Sequence, residues 1–429
     1  MLPCVPVRLE PMPTVRQLLT HNRDFRFLWY GQIVSQLGDW FNSVAMYALL
    51  FDLTGSAKAV AVLMVMQILP IALVGPTAGV VADRYDRRRI MIAADLVRGV
   101  TVLGLLFVRT PSMVWLAYVV TAVTVATTGF FEPARSSTVP LVVDRRELVA
   151  ANAVSTSTWS AMVAIGASLG GIVSAAFGRD TAFVLNSLSF FASAVLISRM
   201  RVPPRLGSAR AQPGWHGLME GVAYMRANRH VARIAFVKGG WAVVGGALLL
   251  LAVFGDRIFR IGSTGDAGIG VLYAARGIGA AAGSLAVALA IRRTAMPLTR
   301  WIGPSYIAAG LAYATLGYAP SIWFAALTVV VAHTFGSVLW VASNVLLQTT
   351  VPDEFRGRVF AAELIALALV QSASTYLTAF ALDELHTPPR LLAVAVGAAL
   401  LAQGLVQGDG SVFHSNPQPG DRSGGPAAR

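Results

Sequence analysis

The chain has 429 residues, of which 55% are hydrophobic and only 13% are charged. Soluble domains carry about a quarter charged residues, so this composition excludes an ordinary soluble protein. The net charge of +13 would suggest nucleic-acid binding in a soluble protein. Here the charges lie between long apolar runs, where contact with membrane lipid and membrane orientation explain them. We therefore expect no nucleic-acid partner. The single cysteine, Cys4, excludes an internal disulfide and a cysteine-based metal site.

Twelve apolar runs follow one another along the chain, each long enough for a helix that crosses about 30 Å of hydrocarbon. All must be helical, because lipid offers backbone groups no hydrogen-bonding partner. The sequence thus predicts an all-α integral membrane fold with twelve transmembrane helices in two pseudo-symmetric six-helix halves. The predicted spans 1 to 12 cover residues 25–51, 57–82, 90–108, 112–139, 148–177, 180–198, 231–255, 267–291, 298–318, 321–350, 358–382 and 389–407.

A long basic loop after span 6 divides the chain, with a helix-like stretch from Trp215 to Asn228. Dipeptides such as Asn22-Arg23 and Asn228-Arg229 recur 206, 210 or 212 residues apart, which indicates an internal duplication. The predicted segments are a cytoplasmic N-terminal segment, an N-terminal half, a cytoplasmic linker loop, a C-terminal half and a disordered cytoplasmic tail, at 1–24, 25–199, 200–230, 231–407 and 408–429.

The distribution of basic residues predicts the orientation. Segments on the side of the N-terminus hold 24 of the 34 Lys and Arg residues, and the opposite loops hold 6. Loops that stay in the cytoplasm are enriched in Lys and Arg. We therefore expect a multi-pass protein of the bacterial plasma membrane with both termini in the cytoplasm.

A charged loop, Gly79–Arg89, joins spans 2 and 3. Its arginines are typical of a cytoplasmic loop, and Gly79, one turn before Asp83, predicts close helix approach. The loop resembles the signature Gly-x-x-x-Asp-Arg/Lys-x-Gly-Arg-Arg of the major facilitator superfamily, with Asp86 where that family usually has glycine. The resemblance implies a conformational-switch loop built on Gly79, Asp83, Arg84, Arg87 and Arg88.

Further stretches resemble the exporter branch of this superfamily that includes enterobactin-exporter-like and macrolide-efflux-like drug:proton antiporters. The resemblance covers roughly residues 20–405. It implies alternating access, in which two halves rock around a central cavity, and export driven by proton entry. The stretches are Ser35-x-x-Gly38-Asp39, Asp95-x-x-Arg98, Phe131-Glu132-Pro133-Ala134-Arg135, Leu148-x-x-Ala151-Asn152-Ala153 and Val351-Pro352-x-x-x-Arg356-Gly357-Arg358-Val359.

Span 5 contains a run of small residues, Gly166–Gly171. On paper it matches the hydrolase pattern Gly-x-Ser-x-Gly around Ser168, but that pattern needs a strand-to-helix turn. The run resembles the antiporter motif Gly-Pro-x-x-Gly-Gly, with Ala167 in place of proline. In the family, spans 5 and 8 meet between the halves. We therefore expect a seam between the halves lined by Gly166, Gly170, Gly279 and Gly283.

Span 1 carries a polar stripe in the membrane, because Gln32, Gln36 and Asp39 fall on one helix face. Asp39 lies near mid-membrane, about 20 Å along the helix from Arg26. A carboxyl group buried there holds a proton more readily than one in water, as a proton carrier requires. The alternative is that Asp39 caps a neighbouring helix or pairs with a fixed arginine.

Other charges inside the spans need partners or a wet cavity. For Asp95 with Arg98, and for Glu132 with Arg135, a structural pair is favoured; Asp83 is an alternative contact for the second pair. Lys238 is expected to extend toward the inner membrane surface and Glu363 to pair with an arginine. Two interpretations of Arg276 stay open: it holds an anionic substrate, or it neutralises a buried acid. Two interpretations of His333 stay open: it is a proton relay or a packing residue. Asn344 and Gln348 are candidates for lining the inner vestibule.

The interpretation that best fits these features is a secondary active transporter, a proton-coupled antiporter that exports a small amphipathic molecule such as a drug, a macrolide or a siderophore. We expect a monomer that is not an enzyme and uses no cofactor, metal or nucleotide, because the corresponding motifs are absent. The alternatives are a facilitator or importer of the same superfamily, a non-transporting membrane sensor or assembly protein, and a membrane-embedded hydrolase that would use Ser168.

Overall fold

The computed structural model describes residues 15–144, 147–202, 214–293 and 298–408. Every regular element within these ranges is a helix, which confirms the predicted all-α fold. A short helix, Val15–His21, precedes the spans. The spans are, in order, Arg23–Thr54, Ala57–Met66 with Leu69–Arg84, Arg87–Val102, Val114–Val142, Leu148–Phe177, Arg179–Ser198, Arg229–Trp241 with Gly245–Val253, Asp266–Arg293, Thr299–Leu316, Ile322–Thr350, Asp353–Asp383 and Pro389–Gly408.

Within the described residues, ten of these spans are long and apolar enough by themselves to cross a membrane. The other two, spans 1 and 9, have 32 and 18 residues and carry more polar side chains. Span 1 packs against spans 5 and 6, and span 9 packs against spans 10 and 12. Both therefore complete a bundle, although their composition alone marks them less clearly.

Local capping fixes where the spans begin. The side chain of Asn22 accepts a hydrogen bond from the backbone N–H of Phe25 at 2.9 Å, which starts span 1. The side chain of Asp86 accepts from the backbone N–H of Arg89 at 3.0 Å, which starts span 3. An aspartate at this position accepts a hydrogen bond from a backbone N–H that has no partner within the helix, and its negative charge is stabilised by the positive end of the helix dipole. The departure from the family's glycine at Asp86 therefore has a local structural reason.

Two spans are irregular. Span 2 is interrupted at Gln67 and Ile68, and the side chain of Gln67 accepts a hydrogen bond at 2.6 Å from the hydroxyl of Tyr47 in span 1. Span 7 passes through a 3₁₀ turn, Ala242–Val244, and ends in a π turn, Phe254–Ile258. At the interruption of span 2, the backbone N–H groups of Gln67 and Ile68 still donate to carbonyls of the preceding turn, as a membrane environment requires.

The spans form two bundles that meet along two seams. Contacts across the bundle boundary join span 5 to span 8 and span 2 to span 11. These contacts agree with the expectation that span 5 packs against span 8. Because twelve spans return the chain to the side on which it starts, we call the face where span 1 begins the terminal face and the opposite face the distal face.

The glycines of the seam between spans 5 and 8 are not the predicted ones. The atoms nearest to Gly166 and Gly170 belong to Trp40 and Phe41 of span 1, and those nearest to Gly279 and Gly283 belong to span 10. All four therefore pack inside their own half. The close approach of the two halves is made instead by Gly171, Gly270 and Gly277, against Ala164 and Ala167 among others.

A helix, Gly214–Ala227, stands in the linker about where the sequence predicts one. It packs mainly on span 11. Glu220 forms an ion pair with Arg358 at 2.6 Å, and the rings of Tyr224 and Phe355 stack 4.5 Å apart. The predicted tail after Gly408 and the segment 1–14 lie outside the described residues.

Candidate functional site

A polar cluster joins spans 1, 4 and 5 inside the N-terminal half. Arg135 donates to Glu132 at 2.9 and 3.1 Å, and its remaining terminal nitrogen donates to the side-chain oxygen of Gln32 at 3.3 Å. The amide of Gln32 donates to the backbone oxygen of Ser155 at 3.0 Å. We call Gln32, Glu132 and Arg135 the N-terminal node. Its central Glu132–Arg135 contact is a pair within one helix, as the structural interpretation predicts.

Asp39 lies two turns further along the same face of span 1 and is half-buried. Its carboxylate makes no ion pair with any described residue. The charged groups close enough to influence it are Arg98 and Asp95 of span 3 and Glu132 of span 4. Between Asp39 and the N-terminal node, the side-chain oxygen of Gln36 is buried without a hydrogen-bond partner among the described residues. The stripe therefore faces the interior of the N-terminal bundle and contains unsatisfied polar groups.

Arg98 is held rigidly beside this stripe. It is 3% exposed, forms an ion pair with Asp95, and lies between the rings of Phe131 and Phe190 at 4.6 and 4.4 Å. Cation–π contacts with two rings stabilise the charge of a guanidinium in an apolar environment. The Asp95–Arg98 pair is thus a fixed structural element, and it does not pair with Asp39.

The C-terminal half contains a second node. The ammonium group of Lys238 donates to Glu363 and to Asn344, both at 2.7 Å, and it lies 4.9 Å from the ring of Trp340. The prediction that Lys238 extends toward the membrane surface is wrong, because Lys238 is buried and these two acceptors satisfy it within the bundle. The predicted partner of Glu363 is corrected as well: it is this lysine and not an arginine. Lys238, Asn344 and Glu363 form the C-terminal node.

The two nodes occupy corresponding positions of the two halves. Gln32 and Lys238 are 206 residues apart, the same spacing as Asn22 and Asn228. Glu132 and Asn344 are 212 residues apart, the same spacing as Val139 and Val351. Each node therefore ties the first span of its half to the fourth, although the side chains that do so differ.

Arg276 lies between the halves and has no acidic partner among the described residues. Its guanidinium is 5.7 Å from the ring of Trp40 in span 1 and 5.9 Å from the ring of Tyr273 in span 8. The ring of Tyr47 is 5.5 Å from that of Tyr273. Of the two interpretations of Arg276, neutralisation of a buried acid finds no support in these contacts.

The other candidate polar residues have ordinary packing roles. His333 is buried, hydrogen-bonded to the hydroxyl of Tyr313 at 2.9 Å, and packed edge-on against Trp241. The hydroxyl of Ser168 donates to the backbone oxygen of Ala164 at 2.8 Å within its own helix. Gln348 is exposed at the terminal face. These contacts assign neither a relay nor a nucleophile.

The loop between spans 2 and 3 ties helix ends together. Arg87 lies 3.8 Å from Asp83 and donates at 2.6 Å to the backbone oxygen of Ser137 at the end of span 4. Arg88 donates at 3.3 Å to the backbone oxygen of Ile197 at the end of span 6, whereas Arg84 is exposed. An arginine close to the C-terminal end of a helix is stabilised by the negative end of the helix dipole.

Gly79 does not permit a close helix contact in this structure. A Cβ atom placed on it would meet no heavy atom within 4 Å. It instead borders a cavity of about 180 Å³ between span 2, the linker helix and span 11. The seam between spans 2 and 11 is therefore loose at the terminal face.

The distal face is closed by polar contacts across the halves. Arg179 donates to Asp266 at 2.9 and 3.1 Å and to Asp52 at 2.7 Å, and Asp266 is fully buried. The carboxylate of Asp383 accepts at 3.1 and 2.8 Å from the backbone N–H groups of residues 57 and 58. We call Asp52, Arg179, Asp266 and Asp383 the distal clasp.

The sequence reasoning missed the distal clasp and the aromatic residues around Arg276. One local signal was present: Arg179 stands at the start of a span, where a cation is disfavoured by the helix dipole and an acidic partner is therefore expected. Nothing in the sequence shows that their helices meet. Trp40 and Tyr273 resemble any other aromatic residue of an apolar span.

Comparison with known proteins places this architecture. The family described as transmembrane secretion effector matches residues 19–407. An uncharacterised MFS-type transporter of Bacillus subtilis (strain 168), YfiS, is 26% identical over 84% of this chain and 85% of its own length. Macrolide efflux protein A of Streptococcus pyogenes is 27% identical over 50% of this chain and 54% of its own length.

Among solved structures, a mutant of the nucleoside transporter NupG superposes with a TM-score of 0.72 at 11% identity, over 90% of this chain and 98% of that one. At this identity the likeness shows the fold alone. The family match covers most of the chain, and the relatives in sequence are transporters of one superfamily. This chain therefore belongs to the transmembrane secretion effector family of the major facilitator superfamily of transporters.

Proposed function

We propose that this protein is a proton-coupled antiporter that exports a small amphipathic molecule across the bacterial plasma membrane. The observation that carries the proposal is Asp39, a carboxyl group inside the N-terminal bundle that has no ion-pair partner among the described residues. A carboxyl group that is not locked in an ion pair is free to gain and lose a proton within a transport cycle. Similarity to a macrolide efflux protein supports the direction of transport.

The distribution of basic residues supports a cytoplasmic terminal face. With that orientation, the distal clasp closes the outside and the loose seam beside Gly79 lies inside. We take this arrangement to represent the inward-facing state of the proposed alternating-access cycle. In the proposed cycle Asp39 takes a proton while the protein is open to the outside and releases it to the cytoplasm, and the substrate moves in the opposite direction. Drugs, macrolides and siderophores are the candidate substrates.

The test uses everted membrane vesicles with a respiration-driven pH gradient and two probes, the cationic macrolide erythromycin and the aromatic carboxylate 1-naphthoate. Wild-type protein should exchange protons for at least one of the two probes, which a pH-sensitive dye reports as partial collapse of the gradient. In the Asp39→Asn variant, the side chain at position 39 cannot carry a proton, so the variant should show no response. A response of Asp39→Asn equal to that of the wild type would overturn the assignment.

A matched control is Asp180→Asn. Asp180 also belongs to the N-terminal half, but it is exposed at the distal face, where it pairs with Arg109 at 2.6 Å. This variant should respond like the wild type. Erythromycin flux without any change of the gradient would instead favour a facilitator, which is the alternative within the same superfamily.

A further inference from the structure

Arg276 is a cation within a membrane span that has no counter-ion among the described residues. Three other cations within the spans are paired: Arg98 with Asp95, Arg135 with Glu132, and Lys238 with Glu363. A charged side chain inside a membrane protein usually pairs or faces a water-filled cavity, and it marks a functional site by default. The missing partner of Arg276 therefore calls for a ligand.

The guanidinium of Arg276 is accessible. The residue is half-buried. Its guanidinium nitrogens are not sealed from solvent. No described residue accepts a hydrogen bond from it. Its planar set of donors is thus available to a group that enters between the halves.

The surroundings of Arg276 are aromatic and come from both halves. Trp40 belongs to span 1, and Tyr273 belongs to span 8, one turn before the arginine; their ring centres lie 6.1 Å apart. Tyr47 of span 1 adds a third ring next to Tyr273. A guanidinium next to aromatic rings makes no conventional hydrogen bond with them, so its N–H groups stay free for a bidentate contact with a carboxylate.

We propose that Arg276 binds the anionic group of the transported molecule while Trp40 packs against its planar part. The substrate class is then an amphipathic organic anion, a carboxylate or sulfonate attached to an aromatic or conjugated ring. This inference rests on the proposed function and narrows its substrate. Such a ligand would touch the N-terminal half through Trp40 and the C-terminal half through Arg276, so its affinity would depend on how the halves are arranged.

The test compares two probes that share one ring system: 1-naphthoate, which is an anion at pH 7, and the neutral 1-naphthamide. Equilibrium binding to the purified full-length protein is measured with radiolabelled naphthoate and competition by naphthamide. A charge-assisted hydrogen bond contributes about 1.5–3 kcal/mol. The wild type should therefore prefer naphthoate by roughly tenfold to a hundredfold. Equal affinity for the two probes would overturn the proposal.

Three variants make the test specific to the site. Arg276→Gln should remove the preference, and Arg276→Lys, which lacks the planar fork, should reduce it. Trp40→Leu should weaken both probes to a similar extent. Arg109→Gln, which removes an exposed cation from the distal face, should keep the full preference. If Arg276→Gln does not fold, Arg276→Lys decides, because a full preference in that variant contradicts the proposed contact.

Two further measurements distinguish a substrate anion from a lipid headgroup, and substrate binding from proton coupling. Binding is repeated in nanodiscs with and without phosphatidylglycerol; competition by this anionic lipid would assign Arg276 to a headgroup and overturn the proposal.

Naphthoate binding is also measured with Asp39→Asn. A preference retained by that variant together with unchanged proton exchange would refute the proton-coupling assignment alone. Loss of the preference in the wild type would refute only the substrate class.

Discussion

At the scale of single residues, the protein treats its intramembrane charges in two ways. Lys238 and Glu363 are each 5% exposed and satisfy one another in the C-terminal node, whereas Asp39 and Arg276 have no ionic partner among the described residues. A paired charge contributes to the structure of a bundle, and an unpaired one remains available to a proton or a ligand. The proposed division between structural and functional charges therefore follows from their partners.

The Lys238–Glu363 pair gives a prediction at this scale. Lys238→Met leaves the buried carboxylate of Glu363 without its partner, which typically costs about 3–5 kcal/mol. The unfolding temperature of the purified variant in detergent should fall markedly. The double variant Lys238→Met/Glu363→Leu should recover much of this loss, because two apolar side chains replace the pair. A double variant as unstable as the single one would contradict the pairing.

An exposed ion pair serves as the control for that series. Arg109 and Asp180 are 58% and 49% exposed, and exposed pairs contribute about 0–1 kcal/mol. Arg109→Met should therefore change the unfolding temperature little. A fall in unfolding temperature as large as that of Lys238→Met would show that burial of the ion pair does not determine the loss of stability.

At the scale of elements, the beginning of span 3 depends on one side chain. Asp86→Ala removes the acceptor for the N–H of Arg89, and loss of such a cap costs about 1 kcal/mol. Hydrogen exchange of the first-turn amides should become faster by roughly fivefold. Asp86→Asn keeps an acceptor and should stay close to the wild type. Unchanged exchange in Asp86→Ala would mean that the span begins without this cap.

The sequence predicts the positions of the helices better than it predicts which helices and side chains contact one another. Span positions follow from apolar length because the membrane imposes one helix per crossing. The stripe on span 1 also follows, since helical spacing places Gln32 and Asp39 on one face. Partners distant in sequence leave no such trace: Lys238 and Glu363 are 125 residues apart. Small residues are ambiguous for the same reason, and Gly170 faces span 1 while the adjacent Gly171 faces span 8.

At the scale of the whole molecule, the direct polar contacts between described residues of the two halves cluster at the distal face. Arg179 and Asp266 stand at its centre, and Arg257 adds a hydrogen bond to the backbone oxygen of Gly55 at 2.7 Å. At the terminal face the halves adjoin the cavity next to Gly79. Alternation between two states requires that contacts at one face be given up when the other face closes.

The distal clasp therefore gives a prediction for the conformational equilibrium. Arg179→Gln removes the partner of the buried Asp266 and should increase the population open at the distal face by on the order of tenfold. Spin labels at Met113→Cys and Leu385→Cys, in a Cys4→Ser background, report the distance across this face. The long-distance fraction should grow in Arg179→Gln.

A matched control exists for this measurement too. Arg109 and Asp180 form an arginine–aspartate pair at the same face, but both belong to the N-terminal half. Arg109→Gln should leave the distance distribution of the wild type unchanged. An equal shift in both variants, or none in Arg179→Gln, would show that the clasp does not hold the distal face closed.

The linker helix has a consequence for how the moving bodies are divided. Gly214–Ala227 is fastened to span 11 by the Glu220–Arg358 ion pair and by the stacked rings of Tyr224 and Phe355. In the proposed alternating-access cycle, this helix should travel with the C-terminal half and slide past span 2. The mechanical boundary of the protein thus lies before residue 214, ahead of the point where the second six-helix bundle begins.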